Sequence, residues 1–457
     1  MQDTGVATAP AVSQAPLSLR RIFRAWWPLA ASWMLMGLEL PAVSAVVSRL
    51  ADPQINLAAY GVVFALSMII ESPIIMLLAA STALSRDWDS YLKVRRFMMQ
   101  AGASLTALHV AIAFTPLYDF VFGTLIGAPK EILEPARWGL MIMTPWTWSI
   151  AYRRFHQGVL IRFGHSNAVG LGTVVRLSAN IAVLAIGYLM GTVPGIVVAT
   201  AAVSTGVMSE ALFVGLRVRP LLQRLRQIAP EGDPLTLRSF LRFYIPLALT
   251  SLLTLLVQPI GSAALSRMPG ALESLAVWPV VSGLLFLLRS TGIAYNEVVV
   301  ALLGEPRAEE SLRRFAQILA LVLTAILLLI AATPLASLWF EGLSGLPPSL
   351  AKLAQTSLWF ALLLPAFSVF QSWYQGSLVY LRRTRGVTEA MALSLVISSA
   401  ILGAGVLWGQ VTGLYVAQAA FTLGGLAQML WLGHRQASPG QASLDVHLRR
   451  PTAGEGE

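Results

Sequence analysis

Apolar runs of about twenty residues recur along the whole chain, separated by short stretches rich in Arg, Pro and Gly. A helix of that length crosses the roughly 30 Å hydrocarbon core of a bilayer. The pattern predicts twelve spans, with ends good to a few residues. The first six lie near 22–47, 55–82, 95–122, 134–161, 167–190 and 194–217. The second six lie near 240–265, 273–302, 313–340, 350–380, 387–409 and 411–434.

The order of the polar stretches carries as much information as the apolar runs. Shifting the chain by 218 residues aligns its two halves without a gap. Arg20, Arg24, Pro28, Leu29 and Ala30 fall on Arg238, Arg242, Pro246, Leu247 and Ala248. Pro41 falls on Pro259, Ser48-Arg49 on Ser266-Arg267, and Arg95-Arg96-Phe97 on Arg313-Arg314-Phe315. Thr115-Pro116-Leu117 matches Thr333-Pro334-Leu335, and Gln157-Gly158 matches Gln375-Gly376. Shared Leu or Ala means little in apolar sequence, but Pro, Arg and Gln at one constant offset mean duplication. Six spans per half insert both copies in the same sense, as parallel repeats about an axis along the membrane normal. The expected fold is therefore an all-α integral membrane protein, with about twelve transmembrane helices in two parallel six-helix repeats around a central cavity. Its expected parts are a polar N-terminal tail (1–19), an N-terminal lobe (20–217), a cytoplasmic linker (218–236), a C-terminal lobe (237–435) and a disordered cytoplasmic tail (436–457).

Composition agrees. Of the 457 residues, 56% are hydrophobic and 12% charged, and mean hydropathy is +0.69. A water-facing surface needs about twice that charge. The net charge of +10 would suit nucleic acid, but the basic residues sit in clusters between apolar runs. Arg20, Arg21 and Arg24, then Arg86, Lys93, Arg95 and Arg96, then Arg217, Arg219, Arg224 and Arg226 occupy alternate connections, as do Arg313 and Arg314 and Arg382, Arg383 and Arg385. This positive-inside bias excludes a nucleic-acid partner and places both termini in the cytoplasm, with the plasma (inner) membrane expected. The first 19 residues lack the basic and apolar regions of a cleavable signal. Cysteine is absent, which excludes disulfides, thiolate metal sites and cysteine nucleophiles.

Charges at membrane depth are costly and need a partner, water or a function. Glu71 and Arg289 lie mid-span in the second and eighth helices and are repeat equivalents. They read either as a gate or charge pair across the central cavity or as a static ion pair pinning the halves. Ser282, Arg289 and Asn296 share one face of the eighth span, with Glu297 one position on. A polar stripe of this kind faces water or protein, and an interhelical hydrogen-bond seam is the plainer reading. In the fourth span Trp146, Ser149, Arg153 and Gln157 have helical spacing, and the tenth answers with Gln371 and Gln375. Arg154 and His156 are expected to snorkel to the cytoplasmic interface. Glu39, just before Pro41, is a candidate proton or cation site, or else faces an aqueous vestibule. Arg176, Asn180, Glu210 and His109 are further polar groups for which packing or interfacial roles are expected. Arg289, Arg153, Gln157, Gln371, Gln375 and Asn296 are thus the candidate substrate contacts, and Glu39, Glu71 and Glu297 the candidate gating or ion-coupling groups.

No G-x-x-x-x-G-K-[ST], H-E-x-x-H or G-x-S-x-G occurs. The expectation is a non-enzyme with no catalytic residues, no resident metal and no cofactor beyond a coupling H⁺ or Na⁺. The starts of the two halves, RAWWPLAAS (24–32) and RFYIPLALT (242–250), resemble the basic-aromatic-Pro-Leu entry of the multidrug/oligosaccharidyl-lipid/polysaccharide exporter superfamily. With LAAYGVVFAL (57–66), the Trp-rich fourth span and HQGVL (156–160), the chain is most similar to its progressive ankylosis group, over roughly residues 17–435. The major facilitator pattern fits poorly, since LSRDWDSYLKVRRF (84–97) lacks its glycine. The resemblance implies two six-helix lobes in a V, rocker-switch motion, and export of organic anions. The expected function is a secondary active exporter for a small organic anion, working as a monomer among membrane lipids. The alternatives are proton- or sodium-coupled efflux of amphipathic drugs, a flippase for lipid or lipid-linked substrates, and a non-transporting scaffold.

Overall fold

The computed structural model describes residues 17–228, 234–381, 383 and 385–437. Most of the expected N-terminal tail, residues 229–233 of the linker, Arg382 and the tail from 438 lie outside the described residues. Among the described residues there are helices and no strand. The first half comprises α1 (Leu19–Val47), α2 (Pro53–Leu84), α3 (Trp88–Phe114), α4 (Lys130–Ile142 and Thr144–Arg162), α5 (Ser166–Met190) and α6 (Gly195–Leu225). The second comprises α7 (Leu237–Leu265), α8 (Ala271–Leu302), α9 (Ala308–Ala332), α10 (Pro348–Phe360 and Leu364–Tyr380), α11 (Arg385–Trp408) and α12 (Gly413–Ala437). Nine of these are long and apolar enough to cross a membrane, and the pair forming α10, bent by 45°, makes a tenth. The other two, α4 and α12, are less apolar. The first carries Arg137, Arg153, Arg154 and Arg162, the second Gln418, Gln428, His434 and Arg435.

Three features depart from the expected spans. The third and ninth helices stop at Phe114 and Ala332 instead of running through Thr-Pro. Thr115 and Thr333 leave the helical conformation, and each hydroxyl donates to a carbonyl four residues back, at 2.6 Å. Short π-helical turns follow at Asp119–Ile126 and Leu338–Leu343. The linker also begins later than 218, because α6 continues to Leu225. Val218, Leu221 and Leu225 fall on one helical face and are buried, so the apolar stripe persists beyond the bilayer.

The bends are sequence-encoded. Pro41 cannot donate to the carbonyl four residues back, and α1 breaks at Leu38. Pro259 does the same to α7, which breaks at the equivalent Leu256. Proline at position 73 of α2 frees the Ile69 carbonyl, which accepts from the Ser72 hydroxyl at 2.8 Å.

The duplication read from the sequence reappears as paired contacts, each at the same offset. The Trp26 indole donates to the Thr291 carbonyl, and the Tyr244 hydroxyl to the Pro73 carbonyl. Trp26 meets Phe315 edge-on, and Tyr244 meets Phe97 edge-on. The Asn56 side chain accepts from the Ile196 amide, as Ser274 accepts from the Leu414 amide. Arg137 donates to the Ala113 carbonyl, and Gln355 to that of Ala331. The structure is thus two like-oriented six-helix repeats. Their first helices are exchanged in part: Ile22, Trp26 and Ala30 of α1 bury among Ala294, Tyr295, Leu312 and Phe315 of the second half. In mirror fashion Phe240 and Tyr244 of α7 pack on Phe97 of the first half.

Candidate functional site

The charges read from the sequence as scattered candidates converge, within the first half, on one network spanning α1, α4, α5 and α6. Glu210 of α6 is completely buried. Its carboxylate accepts from Arg153 at 2.5 Å and from Gln157 at 2.9 Å, both on α4, and Arg176 of α5 lies 3.7 Å away. Arg176 also pairs with Glu39 at 3.2 Å, and Asn180 donates to Glu39 at 2.9 Å. Glu39 opens the second segment of α1, so the proline-induced break delivers a carboxylate into the lobe. Gly172 and Gly206 let α5 and α6 close on each other here: a Cβ at 206 would lie 3.0 Å from the Arg176 carbonyl.

Glu71 of α2 is buried, and its carboxylate makes no hydrogen bond or ion pair among the described residues. The cations that act on it are Arg153, Arg154 and Arg176, all in its own half. The expected pairing of Glu71 with Arg289 is therefore not formed. Each half places its mid-span charge within itself, where for Glu71 three guanidinium groups already supply the compensating field. The expected snorkelling of Arg154 and His156 is also corrected. His156 is buried and its Nδ1 meets the Tyr152 carbonyl at 2.8 Å, while the Nε of Arg154 is enclosed without a partner. The fourth helix runs between α2, α3 and α6, which leaves neither side chain an apolar slope to climb.

The second half differs. Arg289 of α8 has no ion pair and no side-chain hydrogen bond among the described residues, and its Nε is enclosed. Only its carbonyl is engaged, by the Ser368 hydroxyl at 3.3 Å. Ser282, Arg289 and Asn296 are all half-buried, the exposure expected of one shared face. Asn296 donates to the Ser372 carbonyl at 3.3 Å, and Gln371 to the Gly425 carbonyl at 2.7 Å. Gln375 is half-buried, and exposed Glu297 accepts from Trp33 of α1 at 3.5 Å. Arg153 and Gln157 are thus committed to Glu210, Gln371 to a backbone carbonyl, and Arg289 to nothing.

Two residues not singled out as functional tie the halves together at one end. Arg49, at the end of α1, donates to the Gly342 and Leu343 carbonyls of the second half's π turn, at 2.5 and 2.9 Å. Its equivalent Arg267 donates to the Thr124, Leu125 and Ile126 carbonyls of the first half's π turn, at 2.9, 2.8 and 2.6 Å. The signal was present, since Ser-Arg recurs at both positions. What it binds was invisible, because the acceptors are backbone groups. Arg176, Asn180 and Glu210, expected to serve packing, prove to be the centre of the polar network.

No protein-family model matches the chain, and no curated protein does. Among solved structures it is similar to an inward-facing multidrug resistance MATE family transporter of the MOP superfamily, with TM-score 0.71, 17% identity, and coverage of 90% of this chain and 98% of that one. An outward-facing transporter of the same description gives 0.58, with 19% identity and coverage of 94% and 99%. The lipid II flippase MurJ in an inward closed conformation gives 0.69, with 13% identity and coverage of 92% and 90%. These likenesses do not bear on the progressive ankylosis resemblance. The chain has the fold shared by the MATE transporters of the MOP superfamily and by this flippase.

Proposed function

We propose that the chain is a secondary active transporter that works by alternating access of its two halves and exports a small organic anion. Arg289 carries this reading. In the first half Arg153 and Arg176 pair with Glu210 and Glu39, and Glu71 lies in the field of Arg153, Arg154 and Arg176, so each buried carboxylate has cations beside it. Among the described residues of the second half, the Arg289 guanidinium sits at mid-span on a half-buried face with no counter-charge. A buried, unpartnered donor is costly, and a bound carboxylate or phosphate would satisfy it bidentately. The arginine bias of the loops puts the Arg49 and Arg267 contacts on the outer side, so the described conformation is closed outward. The higher TM-score to the inward-facing transporter accords with that.

The test is flux from proteoliposomes loaded with a panel of carboxylates and nucleotides. Arg289→Ala should lower anion flux about 10- to 100-fold, the worth of a charge-assisted hydrogen-bond pair. Arg289→Lys should retain part of it, and both variants should elute as folded monomers. Flux unchanged by Arg289→Ala would sink the anion reading.

A second reading assigns ion coupling to the first half. Its support is the unbonded oxygen of buried Glu71 and the placement of Glu39 at the break in α1. Under it an imposed pH or Na⁺ gradient drives transport, and Glu71→Gln or Glu39→Gln uncouples flux from the gradient. Exchange that ignores both gradients would remove it.

A further inference from the structure

Two adjoining recesses of about 230 and 290 Å³ are lined wholly by residues of the first half. They share Tyr152, Gly215 and Arg219, and sit where α3 begins and α4 and α6 end. The larger is lined by Arg95, Arg219 and Arg226 with Trp88 and Tyr91. All three arginines are exposed, and none has an ion pair among the described residues. The Arg226 guanidinium lies 4.8 Å over the Trp88 ring, and Trp88 stacks on Tyr91 at 5.1 Å. Among the described residues no carboxylate lines either recess. The nearest acids on α3 are occupied: Asp87 caps the helix, and Asp89 pairs with Lys93 at 2.6 Å.

The smaller recess is of another kind. It is walled by Trp148, Leu212 and Leu216, and the two leucines are exposed on a surface of membrane-spanning helix. Gly215 joins the two, because a Cβ there would meet the Tyr152 hydroxyl at 2.7 Å. That hydroxyl has no acceptor among the described residues. A basic, aromatic-lined pocket thus runs directly into an apolar groove that opens to lipid, at the end of the bundle where the arginine clusters gather.

The feature does not follow from the duplication. The second half has Pro306, Glu309, Phe370, Tyr374 and Ala437 where the first has Trp88, Tyr91, Tyr152, His156 and Arg219. Of the larger recess only Arg95 and the glycine persist, as Arg313 and Gly433, and of the smaller one Leu212 persists as Leu430. In sequence, then, the second half does not repeat the cationic, aromatic lining of this recess.

We propose that this recess binds the phosphate headgroup of an anionic glycerophospholipid from the arginine-rich leaflet, with an acyl chain along Trp148, Leu212 and Leu216. Three guanidinium groups without an ion pair among the described residues supply the field for phosphate, the Tyr152 hydroxyl supplies a neutral donor, and interfacial aromatics fix the depth. Free phosphate has the same headgroup chemistry but cannot use the groove, which is why the lipid is the assigned ligand.

The experiment is native mass spectrometry of the full chain in detergent. It would be titrated with phosphatidylglycerol, cardiolipin, phosphatidylcholine and soluble glycerol 3-phosphate. The expected result is retention of the two anionic lipids over phosphatidylcholine. Arg219→Gln with Arg226→Gln should lower that retention on the order of tenfold or more. The control pair Arg313→Gln with Arg314→Gln, in the second half, should leave it unchanged. Equal retention of phosphatidylcholine, or equal loss in both variant pairs, would overturn the site. Displacement by glycerol 3-phosphate at concentrations matching the lipid would overturn the lipid assignment. Should the variants fail to fold, a photoactivatable phosphatidylglycerol on the wild-type chain decides. Cross-links within 148–152 and 212–226 are expected, and cross-links confined to other helices would refute the proposal.

Discussion

The two halves agree in scaffold and disagree in chemistry. Position by position, Glu39, Glu71, Arg153, Arg154, Gln157, Arg176, Asn180 and Glu210 in the first half become Val257, Arg289, Gln371, Ser372, Gln375, Ser394, Ser398 and Gln428 in the second. Six of the first set are ionisable and one of the second is. Yet the contacts that shape the bundle are kept at the same offset, from Trp26 and Tyr244 to Arg49 and Arg267. Duplication therefore preserved what holds helices at their angles and released what they enclose. One half holds a buried ion network, and the other, among the described residues, an unpaired mid-span cation beside neutral hydrogen bonds such as Ser398 to the Ala420 carbonyl.

The largest expected effect breaks that contrast at Glu210. Glu210→Gln leaves Arg153 buried without its 2.5 Å partner and removes the carboxylate 3.7 Å from Arg176. Losing one member of a buried pair costs about 3–5 kcal/mol. Gln428→Ala, at the equivalent site, should cost within about 1 kcal/mol, since Gln428 is half-buried and makes no ion pair. Thermal denaturation in detergent compares the two directly. Near-equal losses would mean that the first half does not depend on its charges. The double variant Arg153→Gln with Glu210→Gln sharpens the point: it should be less destabilised than Glu210→Gln alone, because it strands one fewer cation.

The next effect tests where the halves are alike. Arg49 and Arg267 each cap a π turn of the opposite half, so Arg49→Ala and Arg267→Ala should loosen the same end of the molecule by similar amounts. Each loses two or three charge-assisted bonds to carbonyls of the other half. At about 1.5–3 kcal/mol for hydrogen bonds to a charged group, either variant should raise the open population several-fold or more. Spin labels on the two π turns report this as longer distances. No change in either variant, or change in only one, would show that the two contacts are not equivalent latches.

How much of this was legible follows from what kind of group carries each feature. Helix number and repeat offset were plain, because Pro, Arg and Gln are rare enough in apolar sequence for coincidence to be informative. The breaks at Leu38 and Leu256 were foreshadowed by Pro41 and Pro259. The helix stops at Thr115 and Thr333 were not, because the apolar pattern runs through them. The site was half legible. Its residues could be named, but partners depend on helix rotation and crossing, which periodicity does not determine. Glu71 and Arg289 looked like a pair because the offset matched them, but equivalent positions in a two-fold arrangement share depth, not contact. Glu210 and Arg176 looked like packing residues because each stood alone in its own apolar run, and only the packing of α4, α5 and α6 reveals that they meet.

The smallest expected effect concerns the neutral counterpart of that ion pair. Gln371 is the equivalent of Arg153 and donates to the Gly425 carbonyl at 2.7 Å, joining α10 to α12 as Arg153 joins α4 to α6. Gln371→Leu keeps the volume and removes a single neutral hydrogen bond, while the Gly425 carbonyl keeps its place in the ladder of α12. The cost should be about 1 kcal/mol, a modest fall in denaturation temperature and less than half that of Glu210→Gln. If the lone cation at Arg289 is what the second half contributes to transport, Gln371→Leu should also leave anion flux within about twofold of wild type. A fall in stability as deep as that of Glu210→Gln would mean that a neutral seam holds its helices as firmly as an ionic one. The charges of the first half would then be kept for something other than cohesion.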